Sequence, residues 1–172
     1  MRLNTKNLMD KLHKMPQINY MKLALEEAVQ GMKNNQGGPF GAIVVKDGMI
    51  IGYGYNKVLG TNDPTAHAEI VAIRDACANT GNFNLSGAVL YTTCFPCPMC
   101  VGAILWSRID KIYYCLSPQD AKEIGFDDAL FHSKFHDKSF WNDFAVCDNG
   151  EEQGCRDLFE QWKNRENQEI GY

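Results

Sequence analysis

The sequence lacks the features that would divide it into several parts or keep it unfolded. It has no internal repeat, no low-complexity segment and no linker-like stretch between two hydrophobic blocks. Its 172 residues, of which 45% are hydrophobic and 22% are charged, have the length and composition of one globular domain. A disordered or collagen-like chain is therefore excluded, and we expect a core that folds without disulfides.

Signals for export and for general binding to polyanions are also lacking. Residues 1–16 are polar and carry four cations without an apolar centre, so we interpret them as an N-terminal extension and not as a signal peptide. The formal net charge of −4 provides no overall basic surface for nucleic acid or an anionic membrane. The seven cysteines are an odd number without evident pairing, and we expect thiols or metal ligands in a reducing cytoplasm.

Charge is absent from one long stretch, because no charged residue occurs between Asp75 and Arg108. A transmembrane helix needs about 20 predominantly apolar residues. This stretch is instead interrupted by asparagines, glycines and prolines. We therefore interpret it as buried core and as the surroundings of a buried site.

Hydrophobic periodicity predicts strands that alternate with helices, which is the pattern of an α/β sandwich. Strands are expected at 40–45, 49–55, 88–93 and 109–115, with the first two joined in a hairpin at Asp47-Gly48. One helix is expected to begin at Pro64, with Asp63 as its N-cap, and to end near Gly81. Further helices are expected at 18–32, 98–106, 119–124 and 151–164, and a turn at 125–128.

Two short segments carry residues suited to metal chemistry: Pro-Thr-Ala-His-Ala-Glu at 64–69 and Cys-Phe-Pro-Cys-Pro-Met-Cys at 94–100. The imidazole of His67 and the thiolates of Cys97 and Cys100 form a donor set that suits zinc. Three protein ligands leave a fourth position for water, as in catalytic sites. His67 and Glu69 lie about 200° apart around a helix, so they converge only on a point beyond its N-terminus. Glu69 is then placed to exchange protons with a water molecule there.

The motifs His67-Ala68-Glu69 and Pro96-Cys97-Pro98-Met99-Cys100 match the signature of zinc-dependent deaminases. The chain resembles the cytidine and deoxycytidylate deaminase superfamily. It is most similar to its bacterial guanine deaminases, through residues 37–42, 62–69 and 125–128, and again at Tyr172. The resemblance implies a three-layer α/β/α sandwich with a central mixed sheet. It also implies one zinc deaminase domain over 17–172, in which 129–172 is divergent, and a homodimer that exchanges C-terminal segments.

The reaction that the resemblance implies is the hydrolysis of guanine to xanthine and ammonia. Zn²⁺ would be held by His67, Cys97 and Cys100, zinc-bound hydroxide would be the nucleophile, and Glu69 would shuttle protons. Phe95 stands where the family usually has Glu.

The resemblance also implies substrate contacts at five positions, namely Phe40, Asn56, Ala68, Asp128 and Tyr172. Phe40 would stack on the purine and Asn56 would hydrogen-bond its ring. Asp128 would read a purine edge, and Tyr172 would close the site of the partner subunit. The expected partners are therefore a small purine base and a second copy of the chain, with no nucleic acid and no membrane.

Other interpretations fit the same residues. The substrate could be another base or nucleoside, such as cytosine or guanosine, or an adenosine in tRNA, although RNA binding needs a basic surface that the overall charge does not provide. A non-enzymatic alternative makes Cys94 the fourth ligand of a closed structural zinc site. A third alternative, an iron–sulfur site on Cys94, Cys97 and Cys100, lacks a fourth nearby cysteine.

Five residues outside the motifs are expected to have structural or solvent-exposed positions, and the role of Cys155 is left open. His132 and His136 are expected on a solvated face, because their neighbours are polar. The other three cysteines outside the motif are expected to be small buried hydrophobic residues, and these are Cys77, Cys115 and Cys147.

Overall fold

A mixed four-stranded sheet forms the centre of the fold in the computed structural model, which describes residues 18–145 and 150–164. The strands are β1 (Gly41–Lys46), β2 (Met49–Tyr55), β3 (Ala88–Cys94) and β4 (Lys111–Leu116), in the order β2-β1-β3-β4. β1 runs antiparallel to β2 and to β3, whereas β4 runs parallel to β3. The predicted strands are confirmed, with small shifts at their ends.

The β1–β2 hairpin is also confirmed. Its two turn residues, Asp47 and Gly48, have φ angles of 51° and 76°. Positive φ at both central positions is the geometry of a type I′ turn, whose twist matches that of the flanking strands. The Asp-Gly pair therefore sets the register in which β1 and β2 meet.

Helices cover both faces of the sheet. In the described ranges they are α1 (Tyr20–Lys33), α2 (Val58–Thr61), α3 (Ala68–Thr80), α4 (Pro98–Trp106), α5 (Pro118–Glu123), α6 (Asp128–His136), α7 (Lys138–Phe144) and α8 (Glu152–Lys163).

The central strand β1 contributes to two hydrophobic clusters, one on each face of the sheet. Ile43 and Val45 pack against Ala24 of α1 on one face. Ala42 and Val44 pack with residues of α3 and α4 on the other face. Because successive side chains of a strand point to opposite faces, a strand covered on both sides is hydrophobic throughout. The three-layer α/β/α sandwich is thus confirmed.

Glycines in β2 let the backbone of α3 lie directly on the sheet. A Cβ atom at Gly54 would be 2.3 Å from the carbonyl oxygen of Ala68 and 2.4 Å from the nitrogen of Ala72. A Cβ at Gly52 would be 2.3 Å from the carbonyl oxygen of Ala72. These distances leave no room for a side chain, so the packing sets the position of the α3 N-terminus relative to the sheet.

The expected start of α3 at Pro64 is wrong, since the helix begins at Ala68 and His67 is its N-cap. The side chain of Asp63 accepts hydrogen bonds from the N–H and the hydroxyl of Thr65, at 2.8 and 2.7 Å. Asp63 therefore stabilises a local turn, which is the other structure that an Asp-Pro sequence favours.

The described residues after β4 are mostly helical. The predicted helices at 119–124 and 151–164 are confirmed as α5 and α8, and α5 begins with a capping box formed by Ser117 and Asp120. The sequence pattern had assigned no helix to the residues of α6 and α7. The N-terminal extension at 1–16, Cys147 and Tyr172 lie outside the described residues.

The expectation of a buried Cys115 is wrong, because the residue is exposed, and Cys77 is half-buried. Cys115 lies on β4, which forms one edge of the sheet and has mostly exposed side chains. Among the described helices, none has both the length and the hydropathy that crossing a bilayer requires.

Replacing Gly54 with alanine is expected to lower the free energy of unfolding by about 1–3 kcal/mol, the usual range for overpacking. The new methyl group would collide with the backbone of α3 at Ala68 and Ala72. Urea unfolding measures the change. Gly102→Ala is the control, because a Cβ there meets nothing within 4 Å and alanine favours the helix. Equal stability of Gly54→Ala and the wild type would contradict the close packing.

Candidate active site

Three potential metal ligands meet where two helices begin. His67 is the N-cap of α3, Cys97 is the N-cap of α4, and Cys100 lies in the first turn of α4. Both N-cap residues have extended backbones, with ψ angles of 157° and 167°. Their side chains therefore lie just beyond the helix ends, where unpaired N–H groups and the helix dipole stabilise negative charge.

The spacing of the three donor atoms fits a zinc ion. His67 Nδ1 lies 3.6 Å from the sulfur of Cys97 and 3.6 Å from that of Cys100, and the two sulfurs are 3.6 Å apart. A tetrahedral zinc ion, with bonds of about 2.3 Å to sulfur and about 2.0 Å to nitrogen, holds such atoms about 3.5–3.8 Å apart. The donor set and its spacing agree, and three ligands leave one position open.

The protonation of the two thiols supports the same fit. The hydrogen bond between the sulfurs, helped by His67, lowers the pKa of Cys97 to about 4, and the same bond raises the pKa of Cys100. Thiolates are the form in which cysteines bind a metal ion, so the lowered pKa of Cys97 agrees with a ligand role.

Glu69 lies beside these donors on the first turn of α3. Its side chain is buried, with 6% of the residue exposed. The Cys100 thiol donates to Oε2 over 3.5 Å, and the Thr92 hydroxyl donates to Oε1 over 3.0 Å. Burial raises the pKa of the Glu69 carboxyl, which suits a group that both accepts and returns a proton.

Cys94 is not part of the ligand cluster. The described groups that lie close enough together to hold an ion are His67, Cys97 and Cys100. The thiol of Cys94 donates to the carbonyl oxygen of Ser117 over 3.5 Å. This arrangement disfavours both the closed four-ligand zinc site and the iron–sulfur site.

Phe40 lies in an aromatic contact with the segment that precedes Asp128. Its ring meets that of Phe126 edge to face, with centroids 4.9 Å apart. Both rings would touch a Cβ at Gly38, so the 37–42 loop and the 125–128 turn are neighbours. The structure thus brings together two of the segments that carry the resemblance.

Asn56 connects this loop to the start of α3. It is buried, its N–H donates to the carbonyl oxygen of Phe40 over 3.0 Å, and its Oδ1 accepts from the N–H of Val58 over 3.1 Å. The N–H of the next residue, Lys57, donates to the carbonyl oxygen of Ala66, one residue before His67. No described residue accepts a hydrogen bond from Asn56 Nδ2, so this nitrogen is the part of Asn56 that is suited to bind a ligand.

The structure describes the other three expected substrate positions to different extents. The side chain of Ala68 is fully buried in the hydrophobic core, so only its backbone is suited to contact a ligand. Asp128 is the first residue of α6, but its side chain lies outside the described part of the chain, as does all of Tyr172.

Thr92 lies at the site although no sequence pattern singles it out, since a threonine in a strand is ordinary. Phe126 belongs to the 125–128 turn, but that turn does not predict its contact with Phe40. His132 was expected on a solvated face, but it is half-buried with its ring 6.0 Å from that of Phe95. Its Nε2 is buried and has no hydrogen-bond partner among the described residues.

Comparisons with known proteins agree with this geometry. Residues 15–116 match the family model of the cytidine and deoxycytidylate deaminase zinc-binding region. A guanine deaminase of Bacillus subtilis is 49% identical over 115 residues, which cover 67% of this chain and 74% of that protein. The crystal structure of the Bacillus subtilis guanine deaminase aligns with a TM-score of 0.80 and 40% identity, over 90% of this chain and 98% of the other.

Two further relatives show how widely the similarity extends. A tRNA-specific adenosine deaminase of Buchnera aphidicola is 44% identical over 112 residues, covering 65% of this chain and 74% of that protein. The structure of a guanine deaminase from Nitrosomonas europaea aligns with a TM-score of 0.60 and 33% identity, over 63% of each chain.

The wild-type protein is expected to retain one zinc ion per chain after dialysis, and Cys97→Ala is expected to lose it, because two ligands do not hold the metal. Metal content measured by mass spectrometry tests this. Cys94→Ala is the matched control and should keep its zinc, since Cys94 lies outside the cluster. Zinc loss in the control, or full retention in Cys97→Ala, would show that the ligand set is different.

Proposed function

Because the chain belongs to the cytidine and deoxycytidylate deaminase zinc-binding family, we propose that it hydrolyses guanine to xanthine and ammonia. The family and its relatives make the protein a zinc-dependent aminohydrolase. Guanine as the substrate rests mainly on one observation. The likeness to the Bacillus subtilis guanine deaminase structure extends over nine-tenths of the chain, well beyond the zinc-binding region.

The residues at the site supply what hydrolytic deamination needs. Water adds to the carbon that bears the amino group, the C–N bond breaks, and ammonia leaves with a proton taken from the water. Zinc, when bound, supplies a Lewis acid that lowers the pKa of water. Glu69 accepts a proton on Oε2, which faces the ligand cluster, and returns it to the leaving amine. Because burial raises the pKa of Glu69, its carboxyl holds the proton between the two transfers.

The aromatic pair at the edge of the site suits a flat aromatic base. The half-buried ring of Phe40 offers one face for stacking, and the edge-to-face contact with Phe126 holds that ring in place. A purine gains more from such stacking than a smaller pyrimidine, because it covers more of the ring.

Polar groups around the bound base would distinguish guanine from other bases. Asn56 donates from Nδ2, because its Oδ1 is already engaged by Val58. The backbone of Ala68, at the N-terminus of α3, offers an N–H group. Asp128, two residues after Phe126, reads the amino-bearing edge of the base. A guanine presents both acceptors and donors to these groups.

The main alternative is deamination of an adenosine in tRNA, which the similarity to tRNA-specific deaminases favours. The net charge of −4 argues against it, because RNA binding depends on clustered cations. Guanosine and cytosine are the alternative small substrates.

We further propose that the protein is a homodimer. Large apolar side chains are exposed on α4, β4 and α8, and exposed apolar surface is typical of protein–protein interfaces. They are Met99, Leu105, Trp106, Tyr113, Tyr114, Leu116, Leu158, Phe159 and Trp162. A second copy that covers these surfaces removes them from water. Exchange of the C-terminal segments then lets Tyr172 close the site of the partner subunit.

A cytoplasmic location completes the proposal. Two thiol ligands and the exposed thiols of Cys115 and Cys155 are compatible with a reducing compartment, where such groups are not oxidised to disulfides.

The purified zinc protein is expected to release ammonia from guanine faster than from guanosine, cytosine, adenine or tRNA, measured at equal concentrations. Glu69→Gln is the matched control: it should keep its zinc, but lose about 10²–10⁴ of the rate, the usual contribution of a general acid–base group. Faster release from another substrate would replace guanine in the proposal, and an active Glu69→Gln variant would overturn the role of Glu69.

Exchange of C-terminal segments is testable by mixing two impaired subunits. One carries Glu69→Gln and the other carries Tyr172→Ala. If Tyr172 acts on the partner subunit, random mixed dimers recover about a quarter of the wild-type sites, because one site in each mixed dimer is intact. Ammonia release after joint refolding measures this. If Tyr172 acts within its own subunit, the mixture gains no activity over its separate components.

A further inference from the structure

The two carboxylate oxygens of Glu69 have different surroundings. Oε2 faces the sulfur of Cys100 at 3.5 Å and so points towards the ligand cluster. Oε1 points away from it and accepts the hydroxyl of Thr92 at 3.0 Å. Glu69 and Thr92 are both buried, with 6% and 1% of their surfaces exposed. The contact between them is therefore shielded from water, and hydrogen bonds orient a carboxylate strongly in such surroundings.

We propose that Thr92 is a positioning residue for the reaction: its hydroxyl holds Oε1 of Glu69, so that Oε2 is the oxygen that exchanges protons at the metal site. The inference rests on the proposed role of Glu69 as proton shuttle. It adds a residue outside the His-x-Glu and Pro-Cys-x-x-Cys motifs, on a different element of the fold.

The position of Thr92 in the sheet makes its hydroxyl a rigid donor. Thr92 lies on β3, an inner strand, and pairs with Ala42 of β1 on one side and Tyr114 of β4 on the other. Such a residue has little freedom to move, because both neighbouring strands hold its backbone. The β-branched side chain also has few rotamers. A carboxylate tied to this donor keeps one orientation.

Proton transfer depends on that orientation. The hydrogen bond from Thr92 fixes the rotation of the carboxylate, so Oε2 is the oxygen that faces the ligand cluster and receives a proton from that side. The same hydrogen bond persists when Oε2 is protonated, since Oε1 remains an acceptor. Without it, the carboxyl rotates about its last torsion, which is a soft one. Oε2 would then spend less time facing the ligand cluster, and the proton transfer step would slow.

The test compares Thr92→Val, which keeps the shape and removes the hydroxyl, with Thr92→Ser, which keeps the hydroxyl. Thr93→Val is the matched control, because Thr93 is the adjacent buried threonine and its hydroxyl accepts from the backbone N–H of Gly41 over 3.1 Å. Zinc content and melting temperature are measured for all variants, along with kcat and KM. Crystal structures of the zinc-bound forms show the orientation of Glu69.

Thr92→Val is expected to keep its zinc and its KM, while kcat falls about tenfold or more, as for loss of a hydrogen bond to a charged group. Its Glu69 carboxyl is expected to be rotated or to adopt several orientations. Thr92→Ser should recover most of kcat. Thr93→Val should lose stability with little change in kcat.

A purely structural role predicts a different result. In that case Thr92→Val would lower the melting temperature as Thr93→Val does, but kcat and the orientation of Glu69 would be unchanged, and this outcome would overturn the inference. If guanine is not the substrate, the ammonia assay of the wild-type protein shows this without any Thr92 variant. The kinetic comparison is then made with the preferred base, and the crystallographic result is independent of the substrate.

Discussion

The site depends on the approach of two helix N-termini to one point. His67 and Cys97 are separated by 30 residues in the sequence, yet their side chains meet just beyond the ends of α3 and α4. The helix ends stabilise the thiolate and the carboxylate charges there. The approach is possible because Gly54 carries no side chain, so the backbone of α3 lies on β2. Gly54, which has no side chain, thus determines where the metal ligands lie.

Much of the site could be predicted from the sequence, because metal ligation needs particular residue types at particular spacings. Histidine, two cysteines three residues apart and a nearby glutamate leave few alternatives. The structure places the three ligand atoms together, with the glutamate beside the sulfur of Cys100. The start of α3 could not be predicted in the same way. Asp63 and Pro64 are equally suited to a helix start and to a turn, and the choice depends on contacts from elsewhere. The N–H of Lys57 binds the carbonyl oxygen of Ala66 and so joins this loop to the end of β2.

Other parts of the site could not be predicted because they depend on how elements pack. Thr92 reaches Glu69 only through the register of β3 under α3, which no local pattern encodes. His132 has polar neighbours in the sequence and was expected in solvent, but α6 turns its ring towards Phe95. Residues of β4 show the opposite error. Their hydrophobic pattern is that of a buried strand, yet Cys115 is exposed, because β4 lies at the edge of the sheet. The pattern alone does not distinguish an edge strand from an inner one.

In the proposed function, the residues for the reaction and those for the choice of base lie in different parts of the chain, and this separation makes the reaction easier to infer than the base. The ligands and Glu69 lie within 67–100, on elements that the sheet holds in place. The groups that would recognise a base lie partly at Phe40 and Asn56, which the family model covers, and partly after Phe126, where the family model no longer matches. Phe126 joins the two parts through its contact with Phe40. Under the proposed function, we therefore expect a change after residue 116 to affect base recognition without changing the zinc ligands, all of which lie in the part that the family model covers.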